Sequence, residues 1–267
     1  MAYLKYIIAL VVIVIVVLCL YYLYGALKVS GQSISKQTDL NNLSTVPIVT
    51  ADTSTTFTYS TWIYVNSYKP PTVNTQNIAG NAYYTIFCRS STNNSNKADD
   101  LTNNTDLSLL LELDTTVPTL YLHLRDSLKQ IYTITITDNM PIQKWTCVTF
   151  CVSNYYVDSY INGQLIQSNI LKNNSGANIT LMTPVTTATS TSTVGIYMGS
   201  QGAGNVGDIF LGNLTYWNYQ LSPTEVSNYY LSGNPAQSSS NPFSISNYGA
   251  QMVLFKNNIQ NGIVTVL

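Results

Sequence analysis

Hydrophobic and polar residues follow two regimes along this chain. From Tyr6 to Leu27 the sequence reads YIIALVVIVIVVLCLYYLYGAL, with no charge between Lys5 and Lys28. As a helix rising about 1.5 Å per residue, this run spans roughly 33 Å, enough for a hydrocarbon core of about 30 Å. Tyr3 and Tyr6 stand at one end and Tyr21, Tyr22 and Tyr24 at the other, where aromatic rings sit at a membrane interface. A cleaved leader has a shorter apolar stretch followed by a small-residue cleavage site, so the pattern predicts an uncleaved single-pass transmembrane helix ending at Tyr6 and Leu27. Lys5 on one side is balanced by Lys28 and Lys36 on the other, and charge therefore does not set its orientation. Residues 29–50 are rich in Ser, Thr, Gln and Asn without a clear period, and are expected to form a polar tether.

From Phe57 onward the period becomes two, in short runs rich in β-branched and aromatic residues, broken by Asn, Gly, Pro and Ser. Strands are predicted at 57–65, 83–89, 107–113, 119–125, 130–137, 144–152, 194–199 and 209–217. In 107–113 the residues Leu107, Leu109, Leu111 and Leu113 share a face; in 119–125, Leu120, Leu122 and Leu124 alternate with Tyr121, His123 and Arg125. YVDSYINGQLIQS reads as a hairpin, because Asn162-Gly163 suits the positive φ angles of a type I′ turn. One helix is signalled outside the anchor: Ser222 as N-cap, Pro223 at the first helical position and Glu225 three residues on form a capping box, and Gly233 ends the helix. Many short strands with almost no helix predict an all-β, two-sheet antiparallel sandwich. The domain boundaries that follow are an anchor at 1–28, a tether at 29–50, a jellyroll at 51–233 and a C-terminal extension at 234–267. AQMVLFK and GIVTVL in that extension read as one or two strands that either close the sandwich or pair with a partner chain.

Charge narrows the functions. Only 9% of the residues are charged, with Lys plus Arg at 11 against Asp plus Glu at 12; soluble proteins average about 25%. No basic patch exists to displace counterions from phosphates, which argues against nucleic acid as a partner. About a third of the chain is Asn, Ser or Thr, and there are 21 Tyr. A neutral, hydrogen-bonding surface of this kind suits a protein fixed in an assembly or facing polar polymers.

Four segments carry a resemblance. F-x-x-S-x-W-I-Y at Phe57 to Tyr64, W-T-C-V-T-F at Trp145 to Phe150, Y-I-N-G-Q-L-I at Tyr160 to Ile166, and L-G-N-L-T-Y-W-N-Y-Q-L-S-P-T-E-V at Leu211 to Val226 resemble the laminin-G-like jellyroll branch of the concanavalin A-like lectin/glucanase superfamily. The last is the most specific: Leu211, Asn213, Leu214, Tyr216, Trp217, Asn218, Leu221, Ser222 and Glu225 fit the run that links that family's final strand to a short capping helix. The likeness covers roughly residues 50–233. It departs at Ile209, where family members often have Gly, and at Cys147, where His is usual after the strand Trp.

The superfamily implies lectins, glucanases and frequent calcium sites. Glucanases of this kind need carboxylates at fixed separation on one face. Glu112-Leu113-Asp114 begins such a pattern, but Thr116 and Val117 follow, so Asp114 is read as a turn residue. His123, the one histidine, is expected on an exposed sheet face beside Tyr121 and Arg125, and these three are the candidate ligand-contact residues. Asp99, Asp100, Asp106, Asp158 and Asp208 lack the spacing of a calcium loop, so no metal or cofactor is assigned. Cys147 and Cys151 are about 13 Å apart along one strand face, too far for a mutual disulfide; either could pair with Cys88, although free buried thiols are the simpler expectation.

The leading expectation is therefore a non-enzymatic, membrane-anchored structural protein whose jellyroll docks to neighbouring proteins. Its architecture resembles minor coat or membrane-bridging components of large DNA viruses, which places it at a virion inner membrane beneath a capsid shell. The alternative is a membrane-anchored lectin that binds glycans. A glycoside hydrolase comes third, because the acid motif is broken.

Overall fold

The computed structural model describes residues 6, 10–19, 31–40, 44–47, 55–67, 83–90, 101–114, 116–173, 175–182, 195–199, 208–234, 250–256 and 259–266. One six-stranded sheet (sheet A) runs in the order β1 (Gln32–Asp39), β12 (Asp208–Trp217), β3 (Phe57–Ser67), β8 (Trp145–Val152), β9 (Tyr156–Ile161), β10 (Gln164–Ile170). A second (sheet B) runs β2 (Ser44–Pro47), β11 (Gly195–Met198), β4 (Tyr83–Ser90), β5 (Leu107–Asp114), β6 (Leu120–Arg125), β7 (Ile131–Thr137). Neighbouring strands pair antiparallel in both.

Period-two alternation makes this arrangement. Leu109, Leu111 and Leu113 of β5 and Leu120, Leu122 and Leu124 of β6 enter one core with Tyr59, Ile63, Val148 and Phe150 from sheet A. Tyr59 sits at its centre, its ring 5.3 Å from Phe87, 5.7 Å from Phe150 and 4.9 Å from Tyr216. The β9–β10 hairpin turns where predicted, with φ of 51° at Asn162 and 77° at Gly163; a Cβ at Gly163 would come within 3.0 Å of Tyr230.

The outer face of sheet A is covered by the helix α1 (Pro223–Leu231). The predicted capping box is formed: Glu225 N–H donates to Ser222 Oγ at 3.3 Å, and Glu225 Oε2 accepts from the Ser222 N–H at 2.7 Å. Val226 and Tyr229 of the helix pack on Trp62, Cys147, Cys151, Tyr160 and Trp217. Asn213 interrupts the β12–β3 register and takes a φ of 46°. In that conformation its Nδ2 donates to Tyr229 Oη at 2.6 Å, while Thr215 Oγ1 lies 2.9 Å from the same phenol.

Two expectations change, and the simpler expectation for the cysteines holds. The segment read as a tether is not free of the domain: β1 pairs with β12 and β2 pairs with β11, and Leu40 is fully buried. Its polar sequence, QSISKQTD, belongs to an edge strand, which needs only an occasional apolar residue such as Ile34 on its inner side. Cys88, Cys147 and Cys151 are free, buried thiols as expected: Cys88 packs on the outer side of sheet B, across the sandwich from Cys147 and Cys151 on the outer side of sheet A. The C-terminal strands β13 (Ala250–Lys256) and β14 (Ile259–Val266) pair with each other as a separate hairpin.

Residues 10–19 of the predicted anchor are helical and exposed, as is Tyr6, whereas Leu27 lies outside the described residues. Among the described residues no helix is long and apolar enough to cross a membrane.

Candidate functional site

Alternation along β6 sends Leu120, Leu122 and Leu124 inward and Tyr121, His123 and Arg125 to the outer side of sheet B, so the three predicted contact residues do share a face. That face is not open. His123 was expected to be exposed, yet it retains 5% of its exposure, because its register partner Thr133 on β7 and its diagonal neighbour Glu112 on β5 close around the ring. Nδ1 is 2.9 Å from Thr133 Oγ1, and Nε2 is 3.1 Å from Glu112 Oε2. The Nε2 contact with the carboxylate is one of proximity, without the geometry of a hydrogen bond. Carboxylate, imidazole and hydroxyl stand in the order found in nucleophile-activating triads. Here, however, the spacing follows from strand register alone, as cross-strand pairs are held within contact distance.

Arg125 is deeper still, and its guanidinium is used up by backbone. Nε donates to Leu107 O at 2.9 Å, Nη1 to Lys129 O at 2.9 Å, and Nη2 to Leu101 O at 2.7 Å and Asn104 O at 3.2 Å. Burial lowers its pKa, with Asp126 and Asp106 acting the other way. It fastens the 101–107 segment over the end of the sheet, where Leu101, Leu107, Leu110, Cys88 and Tyr197 form a small apolar cluster. Tyr121 is half-buried, 5.6 Å from Tyr83, and burial raises its phenol pKa, with further contributions from Tyr83 and Asp114.

The two acids of the incomplete hydrolase pattern are both committed. Asp114 Oδ1 accepts from the Thr116 N–H at 2.7 Å, the Thr116 hydroxyl at 2.8 Å and the Val117 N–H at 3.3 Å, which is the turn predicted for it. Glu112 faces His123 and is 3% exposed. Among the described residues no group of three or more His, Cys, Asp or Glu side chains could hold a metal ion.

Sequence reasoning passed over a different feature. Between the β6–β7 turn (126–130) and the 173–180 loop lies an open hollow of about 430 Å³, whose lining includes Asp126, Ser127, Leu128, Gln130, Asn178 and Thr180. The walls are tied to each other and to themselves. Ser127 N–H donates to Thr180 O at 2.9 Å, Lys129 N–H to Asp126 O at 3.0 Å, and Asn173 Oδ1 accepts from Ser175 and Ala177 N–H groups at 3.0 and 2.9 Å. Asp126, 3% exposed, accepts from the Gln130 N–H at 2.7 Å and from Tyr132 Oη at 3.3 Å. The signal in the sequence was density of side-chain amides and hydroxyls in DSLKQ and NNSGANIT, two stretches that only the fold brings together.

No protein-family profile matches the chain, and neither does any curated protein. Solved structures do. The ligand-binding domain of botulinum neurotoxin serotype D in complex with N-acetylneuraminic acid is 15% identical, with a TM-score of 0.50, covering 74% of this chain and 42% of that one. The receptor-binding domain of botulinum neurotoxin D (15% identity, TM-score 0.49, 74% and 44% covered) and that of type G (19%, 0.42, 73% and 42%) align in the same way. This chain thus spans less than half the length of those neurotoxin domains. What the first likeness establishes is architecture: the chain folds as an antiparallel two-sheet β-sandwich with one short helix on its outer side.

Proposed function

We propose that the sandwich is a non-enzymatic recognition module, tethered to a membrane through the apolar N-terminal run, and that its partners are glycans. The observation that carries this reading is the state of the acids: Asp114 holds a turn and Glu112 is buried against His123, so neither carboxylate is presented to a substrate as a hydrolase pair requires. The low-charge surface of amides, hydroxyls and tyrosines matches polyhydroxylated ligands, and a neurotoxin domain of the same fold is in complex with N-acetylneuraminic acid. Support for the tether comes from residues 10–18, whose aliphatic side chains are half or more exposed along the helix. The test is a glycan array probed with the full chain in detergent, with turnover of each bound glycan measured in parallel. Binding without hydrolysis is the expected result; hydrolysis of any bound glycan overturns the non-enzymatic reading, and no binding to the array overturns the glycan reading.

A second reading, docking to neighbouring proteins of an assembly such as a capsid shell at a virion membrane, draws on one edge of the sandwich. β10 ends sheet A with Leu165, Ile166 and Ile170 more than half exposed, and among the described residues β13 and β14 pair with each other and with no other strand. Deleting residues 234–267 is then expected to abolish incorporation into a particle while leaving the sandwich folded. Normal incorporation of the truncated chain removes this reading.

A further inference from the structure

We infer that the hollow between the 126–130 turn and the 173–180 loop is the ligand site of this recognition module, and that it takes an uncharged saccharide; the inference rests on the glycan reading above. The lining supplies the groups a sugar needs. The hydroxyls of Ser127 and Thr180 and the carboxamide of Asn178 have no side-chain partner among the described residues, and Gln130 offers an amide whose oxygen takes only a 3.5 Å contact from Tyr132. Hydroxyls and amides both donate and accept, which is what a ligand made of hydroxyl groups demands. Beside them is apolar surface: Leu128 is 76% exposed and Ile179 is buried in the wall, a pairing that suits the C–H face of a pyranose ring. The volume of about 430 Å³ falls within the roughly 300–1,000 Å³ of ordinary small-ligand sites.

Electrostatics then selects within the class. Among the described lining residues the one ionisable side chain is Asp126, without a Lys or Arg. Of the nearby cations, Lys129 Nζ donates to Thr105 O at 3.0 Å and Arg125 is bound to four backbone carbonyls, while Lys172, the bridge partner of Asn178, is exposed outside the lining. A carboxylate, sulfate or phosphate on the ligand would approach the Asp126 carboxylate with no cation among the described lining residues to offset the repulsion, a cost that a neutral sugar does not meet. The site therefore differs in ligand charge from the neurotoxin domain in complex with N-acetylneuraminic acid, itself an acid. Because the turn and the loop are already bonded to each other, little ordering is required on binding.

The experiment uses the full chain in detergent and two matched probes, N-acetyllactosamine and mannose oligosaccharides on one side and their sialylated counterparts on the other. Expected are preference for the uncharged set and about tenfold weaker binding in the double variant Ser127→Ala/Asn178→Ala with its melting temperature unchanged. Asp126→Asn is expected to narrow the gap between neutral and sialylated probes. Undiminished binding by the double variant places the ligand elsewhere and overturns the site while the glycan reading stands. Preference for sialylated probes overturns the charge argument, and failure of the unsubstituted chain to bind either set overturns the glycan reading together with the site.

Discussion

Among the described residues the two outer faces of the sandwich are covered by different means. On sheet A the cover is apolar and comes from the next element in the chain: β12 ends at Trp217, the backbone turns, and α1 lays Val226 and Tyr229 back over Trp62, Cys147 and Trp217. On sheet B a small apolar cluster of Leu101, Leu107, Leu110, Cys88 and Tyr197 is joined by polar contacts gathered from distant strands, with Glu112, His123 and Thr133 in line and Arg125 clamping the 101–107 carbonyls. The difference teaches that a sheet face can be taken out of service for binding in two ways, by area buried or by hydrogen bonds satisfied. On the proposed reading, recognition is displaced to the rim, where the described loops carry amides and hydroxyls.

Breaking the apolar face should have the largest effect. Trp217→Ala removes a ring that is 2% exposed and stands edge-on to Tyr229 at 4.9 Å, and is expected to destabilise the fold by about 4 kcal/mol in denaturant unfolding. The matching cut on the polar face, Arg125→Leu, leaves carbonyls of Leu101, Asn104 and Leu107 without their donor. A loss of about 3 kcal/mol is expected, and a loss below about 1 kcal/mol would show that the 101–107 segment holds without the clamp.

Alkaline pH sharpens the contrast, because the strongly raised groups cluster under the helix. Burial pushes the Cys147 thiol up to about 11, the Cys151 thiol to about 12, and the Tyr160 and Tyr229 phenols to about 12. All four are neutral when protonated, and their folded values lie above the ordinary values of 9.0 for the thiol and 10.0 for the phenol. Their stabilisation is thus fully present below about pH 9 and is lost as pH rises toward 12. The expected loss is about 2 kcal/mol, read as a falling melting temperature from pH 9 upward. A melting temperature flat to pH 11 would mean that water already reaches this face. The smallest cut is Ser222→Ala, which removes the oxygen that accepts the Glu225 N–H. About 1 kcal/mol is expected from thermal unfolding, with the polar face of sheet B undisturbed.

Legibility in the sequence tracks how local each device is. The capping box, the Asn162-Gly163 turn and the Asp114 turn each lie within a few residues and were readable from spacing. The helix cover of sheet A was also readable, since the motif from Leu211 to Glu225 carries both the strand and its lid. β1 and β2 were not, because an edge strand with a polar outer side looks like a linker until a partner strand is known. His123 was placed on the correct side of its strand and given the wrong exposure, for alternation assigns a face but not what stands in front of it. The hollow escaped notice because its two walls are more than forty residues apart.

By itself the sequence determined the element types from β3 to α1, most of the alternation that separates core from outer face, and the neutral hydrogen-bonding character of the surface, since each depends on residue type and short-range spacing. Tertiary structure decided which polar groups remained available. Register brought Glu112, His123 and Thr133 into one line and turned Arg125 onto backbone carbonyls, while the approach of the 126–130 turn to the 173–180 loop left Ser127, Asn178 and Thr180 near Asp126 without side-chain partners among the described residues. Hydrogen bonds are satisfied or spared by three-dimensional neighbours, and those neighbours are fixed only when the sheets close.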